Sequence, residues 1–85
     1  MGPGGNPRSN PEDLLDQVQT KRRVDAALRA LSPSLREAII LREFEDLDYA
    51  AMAQVMGVAI GTVMSRLSRA REKLRAALAT DRQGG

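Results

Sequence analysis

Five cationic side chains, Arg66, Arg69, Arg71, Lys73 and Arg75, fall between residues 66 and 75, close to Thr62, Ser65 and Ser68. Guanidinium and ammonium groups neutralise phosphates, and hydroxyls donate or accept hydrogen bonds. Together they suit contact with a polyanion better than bond-making chemistry. The rest of the chain supports that choice. Its 85 residues include no histidine and no cysteine, which excludes His-based triads, disulfides, thiolate metal sites and the common zinc sets. No nucleophile–base pair is visible, so an enzyme is not expected, and no cofactor is called for. Glu43, Glu45, Asp46 and Asp48 supply four carboxylates but lack the Asp-x-Asp-x-Asp-Gly loop pattern. They read as one helix cap and solvated charge.

The net charge of +2 hides an asymmetry. Residues 1–60 carry seven basic and nine acidic side chains, a net of −2, whereas residues 61–85 carry six and two, a net of +4. Positive charge gathers where a polyanion-binding element would need it. The bland alternative is a solvated helix face that only keeps the chain in solution. No apolar run approaches the roughly 20 residues of a membrane span. The start of the chain also lacks the apolar core of a signal peptide. The expectation is a cytoplasmic protein with no membrane partner.

Four helical segments must position these residues. Residues 1–10, MGPGGNPRSN, read as a flexible linker or expression remnant, and residues 80–85 as a disordered tail. Asn10 caps the first helix and Pro11 opens it; Leu14, Val18, Val24, Leu28 and Leu31 form an imperfect apolar stripe. Ser32 caps a second helix that ends near Phe44, with Leu35, Ile39, Ile40 and Phe44 as its buried side. Leu28, Leu31, Leu35, Ile39 and Leu41 serve either as core or as a docking surface; periodicity finds an apolar face, not what covers it. Asp48 caps a short third helix containing Tyr49, Met52 and Met56, which Gly57 ends in a left-handed conformation. A helix of about eight residues does not persist alone, so its neighbours must hold it. The fourth runs from about Ile60 to Ala79, with Val63, Leu67, Ala70, Leu74, Ala77 and Leu78 along one stripe and basic residues on both flanks.

A short helix, a glycine-containing turn and a longer basic helix make a helix-turn-helix. The spacing Ala53-x3-Gly57-x5-Val63 meets its demands: a small residue where the helices cross, a residue free to take positive φ, and an apolar residue facing the core. The second helix of such a pair enters the major groove with its N-terminal residues nearest the bases. Ile60, Gly61, Thr62, Ser65 and Arg69 are then the candidates for base edges, with Ile60 able to touch a thymine methyl. Arg66, Arg71 and Lys73 are candidates for phosphates.

The stretch from Leu31 to Gly57, LSPSLREAIILREFEDLDYAAMAQVMG, resembles region 4 of extracytoplasmic-function (ECF) sigma factors. So does GTVMSRLSRAREKL, from Gly61 to Leu74, and the Asn10-Pro11-Glu12 start resembles the entry to that domain. The likeness covers about residues 10–79. It implies an all-α, four-helix domain over 11–79 containing a helix-turn-helix, of the winged-helix-like sigma region 4 type. It implies binding to double-stranded promoter DNA at the −35 element and docking on the β flap of RNA polymerase core. An anti-sigma factor is a further implied partner, and the domain is expected to be monomeric. By matching positions, Arg42 and Tyr49 are implied phosphate contacts. Thr62, Ser65, Arg66 and Arg69 are implied recognition-helix contacts, and Met64 and Ser68 also face DNA. Three positions depart from the family's habit: Met64 stands where a basic residue is common, Ser68 where an aromatic or His is common, and Ala59 where Ser or Pro is common. A different helix-turn-helix regulator, or a helical protein-interaction module, are the other readings. Region 2 of such factors, which reads the −10 element, has no counterpart in these residues.

Overall fold

The computed structural model describes residues 11–84, and places side chains over residues 12–79. The linker assigned to residues 1–10 and the cap assigned to Asn10 lie outside the described residues. Helix α1 spans Pro11–Ala30, α2 Pro33–Ile39, α3 Tyr49–Met56 and α4 Ile60–Gly84; a π-helical turn, Ile40–Phe44, extends α2. No strand occurs among the described residues, so the likeness to winged helices rests on the helices alone. Helical backbone in α4 runs on to Gly84. The residues between Ala79 and Gly84, Thr80-Asp81-Arg82-Gln83, contain neither Pro nor Gly to stop a helix.

One apolar core ties the helices together. Leu28 and Leu31 of α1, Leu35, Ala38 and Ile39 of α2, Leu41 of the π turn, Met52 of α3 and Val63, Leu67 and Ala70 of α4 form a single buried cluster. The five leucine and isoleucine side chains that were open to two readings are therefore core. Met52 and Val63 are fully withdrawn from water. Helix α4 packs against each of the other three helices. Its stripe of small and medium apolar side chains is the seam that all of them share.

Local chemistry explains most boundaries. The Asp48 carboxylate accepts from the Ala51 amide at 2.8 Å, as expected of a cap, and satisfies one orphan donor of α3. Gly57 ends α3 at φ 69°, ψ 36°. Ser32 adopts the extended backbone of a cap, but its side chain makes no capping hydrogen bond; only its carbonyl takes part, accepting from the Arg36 amide at 2.9 Å. Arg36 closes the α1–α2 turn instead. Its guanidinium donates to the carbonyls of Leu28 at 3.1 Å, Arg29 at 3.4 Å and Leu31 at 3.0 Å. Those carbonyls lie at the C-terminal end of α1 and just beyond it, where a cation is also favoured by the helix dipole.

One expectation of burial is corrected, and the apolar stripe of α1 proves only partly covered. Phe44 is 66% exposed rather than buried. It stands at the lip of an open groove of about 380 Å³ with Val24, Leu28, Ile39 and Leu74. The extra residue of the π turn carries it past the closed part of the core. Leu14 and Val18 are each 46% exposed, because the first half of α1 runs beyond the body of the core. Only the second half of the supposed stripe, from Val24 through Leu28 to Leu31, meets α4 and α2.

Met52→Ala removes a fully buried side chain and should lower unfolding free energy by about 2–5 kcal/mol. Nothing lies within 4 Å of a Cβ built on Gly57. Gly57→Ala should therefore cost only the left-handed backbone penalty of about 1–2 kcal/mol. Urea titration of both variants checks the order.

Candidate nucleic-acid interface

The connection from α2 to α3 sets the angle at which the helix-turn-helix begins. The Glu45 amide donates to the Ile40 carbonyl and the Leu47 amide to the Leu41 carbonyl, each at 3.0 Å. Asp46 takes φ 58° between them, a left-handed conformation that Asp tolerates better than most residues. In this turn the Arg42 guanidinium donates to the Leu47 carbonyl at 2.8 Å and lies 5.2 Å from the centroid of the Tyr49 ring. Arg42 and Tyr49 are thus a stacked pair at the entry to α3, each half-buried. The Arg42 head is held by a carbonyl and a ring face, not by Glu45 or Asp46.

The second turn is equally defined. The amides of Gly57 and Val58 both donate to the Ala53 carbonyl, at 2.9 and 3.1 Å. The axes of Tyr49–Met56 and Ile60–Ala79 then differ by 97°, within the range of helix-turn-helix crossings. Ala53 packs against the core at this corner and Val63 is fully buried, so the Ala53–Gly57–Val63 spacing performs as read. Ala59 has no side-chain oxygen to offer as a cap; its carbonyl accepts from Thr62 at 3.0 Å and Val63 at 3.1 Å.

Burial of Val63, Leu67 and Ala70 turns the opposite side of α4 to water. Gly61, Ser65, Ser68 and Arg69 lie on that side and are exposed, as is Lys73. Thr62 and Arg66 are half-buried on its shoulder. Ile60 and Met64 are 46% and 52% exposed on the other flank. The nine candidates between Ile60 and Lys73 therefore share one helix; its outward arc carries Ser65 and Ser68 with Arg69 at the edge, and one turn further on the exposed carboxylate Glu72. The Ser65 hydroxyl donates to the Gly61 carbonyl at 3.0 Å. Its proton is occupied, so toward solvent Ser65 presents acceptor lone pairs. Arg42 and Tyr49 belong to a separate patch before α3.

One cation behaves differently from its sequence reading. Arg71, a phosphate candidate, donates from Nη2 to Glu43 Oε2 at 2.6 Å. That hydrogen bond is the main cause of an Arg71 pKa raised above its ordinary value, opposed by desolvation and helped by the charge of Glu43 and, less, by Tyr49. The pair links the π turn to α4 across 28 positions of sequence. No local pattern could have shown it. Arg36 was missed for a related reason: its carbonyl partners come together only after the α1–α2 turn forms.

Among the described residues no group of acidic side chains could hold a metal ion, and no single helix is long and apolar enough to cross a membrane. Within the acidic run, Glu43 binds Arg71 and Asp48 caps α3.

Comparison with known proteins follows the same outline. The family model described as "Sigma-70, region 4" matches residues 21–74. The "ECF RNA polymerase sigma-E factor" of Escherichia coli (strain K12) is 41% identical over 66 residues, covering 78% of this chain and 35% of that protein. The Salmonella typhi protein of the same description gives the same figures. The "ECF RNA polymerase sigma factor SigE" of Mycolicibacterium smegmatis is 39% identical over 70 residues, covering 82% of this chain and 27% of that protein. The chain spans about a third of the length of these curated relatives.

Both members of the Glu43–Arg71 pair are more than a third exposed, at 49% and 41%. A double-mutant cycle with Glu43→Gln and Arg71→Gln, read by urea unfolding, should give a coupling below about 1 kcal/mol.

Proposed function

The chain belongs to the sigma-70 region 4 family, as the ECF type, and on that premise we propose that it reads the −35 element of promoter DNA for RNA polymerase. The observation that carries this reading is the split of α4. Val63, Leu67 and Ala70 anchor one side in the core, while Ser65, Ser68 and Arg69 face outward on the other. A helix held this way presents a convex polar surface that the major groove accommodates. Arg69 has a free planar fork suited to guanine O6 and N7. Ser65, its proton engaged, accepts from the exocyclic amino group of adenine or cytosine. Arg42 and Tyr49 at the start of α3, with Lys73 and Arg66 beside the outward arc, contact phosphates and fix the register. Arg71 is assigned to Glu43 and not to DNA.

The domain acts by binding and not by catalysis, and it works in the cytoplasm as a monomer. Its protein partners are the β flap of RNA polymerase core and an anti-sigma factor.

Fluorescence anisotropy tests the DNA reading, with a short duplex carrying a −35-type element with an AAC core set beside a scrambled duplex across a salt series. Tighter binding to the element, falling steeply with salt, is the expected result. Arg69→Ala should lose about 1–3 kcal/mol of preference for the element, whereas Lys73→Ala should weaken both duplexes alike and lower the salt slope by about one. No binding to either duplex at low salt would overturn the proposal.

A further inference from the structure

Ile60 and Met64 are the exposed large apolar residues of α4, and both sit at its N-terminal end. They are one turn apart, so their side chains lie one above the other on the same side of the helix. Exposed apolar side chains are ordinary when scattered. These two are neighbours, and they adjoin the outward arc of Gly61, Ser65 and Ser68. Neither is drawn into the buried cluster or the residues packed against it. Further along the same flank, Arg71 is bound to Glu43, so no free cation follows them there until Arg75.

The ligand that matches such a pair is narrow in kind. Adenine, guanine and cytosine carry hydrogen-bond donors and acceptors on their major-groove edges and no alkyl group. Thymine alone adds an apolar group, the C5 methyl. A thioether and a sec-butyl side chain make no hydrogen bond worth its desolvation with a purine edge, and they leave its polar atoms dry and unpaired. Against a thymine methyl they lose nothing and remove apolar surface from water. Methionine, unbranched and adaptable, can follow the methyl of either of two adjacent thymines.

On the promoter-reading proposal above, we infer that Ile60 and Met64 form an apolar reader that selects thymine through its C5 methyl. Sequence preference at that end of α4 is then for methyl-bearing base pairs, and Met64 forgoes the guanine recognition that an arginine there would provide.

Replacing thymine by deoxyuridine deletes only the methyl, so single T→U duplexes of the AAC-core element isolate the contact. Both strands are scanned, because the AAC core pairs with thymines on the complementary strand. With the unmodified domain, one or two positions should bind about threefold to fivefold more weakly, the scale of one buried methyl. In Met64→Ala that sensitivity should collapse to within twofold, and Ile60→Ala should reduce it. Met64 is exposed, so circular dichroism should show unchanged helix content. Met64→Lys should raise the salt slope by about one for all duplexes while losing the T→U sensitivity. Preference for the element with no T→U position changing affinity twofold overturns this inference and leaves the promoter reading standing. T→U sensitivity unchanged in both Met64→Ala and Met64→Lys also overturns it. No binding to any duplex overturns both.

Discussion

Val63, Leu67 and Ala70 follow one another along a single side of α4, and each is almost completely withdrawn from water against residues of the three other helices. The rest of the domain depends on that seam. A helix as short as α3 has little reason to persist alone; its apolar face and that of the second half of α1 are covered because α4 packs against both. The same burial fixes the rotation of α4 about its axis. Once the seam is inside, Ser65, Ser68 and Arg69 have no direction left but outward. Stability and recognition are opposite faces of one constraint, and a change that rotates the seam would move every candidate base contact with it.

Smaller interactions set where the helices begin and end and not whether they pack. Arg36 gathers the carbonyls at the end of α1, Asp48 opens α3, Gly57 turns the chain, and Glu43 holds Arg71 beside the π turn. Each contributes about 2 kcal/mol or less in settings like these. Their value lies in geometry. The domain is only 15 Å across its thinnest dimension, so a modest error in a turn would not be absorbed by a deep core. The Arg42–Tyr49 stack occupies the joint between these two groups of interactions, held by the Leu47 carbonyl of the turn and adjoining the first residue of the short helix.

Much of this could be read from the residues, for identifiable reasons. Asp48 and Gly57 act through contacts within a few positions of themselves, and spacing reports such contacts directly; Val63 was legible because a helical period marks the apolar side of α4. Phe44 reads as buried, and Leu14 and Val18 as part of an apolar stripe, because a helical period shows an apolar face without saying whether anything covers it. The π turn is invisible to a fixed period, since it changes the count of residues per turn. Ser32 has the right type and backbone for a cap, yet its hydroxyl takes no part. Arg71 reads as one more cation in a basic helix, and only the approach of Glu43 from the π turn reassigns it. The outward residues of α4 were legible as a set because one stripe of apolar residues determines them all.

The central claim is that burial of the α4 seam delivers residues 60–69 to DNA. Backbone amide chemical shifts, followed residue by residue as an AAC-core duplex is titrated into the isotopically labelled domain, test it most directly. The account predicts the largest changes at residues 60–69, smaller ones around Arg42 and Tyr49, and none at Leu14, Leu15 and Val18. Largest changes along the exposed first half of α1 and at Phe44, with residues 60–69 unmoved, would contradict it.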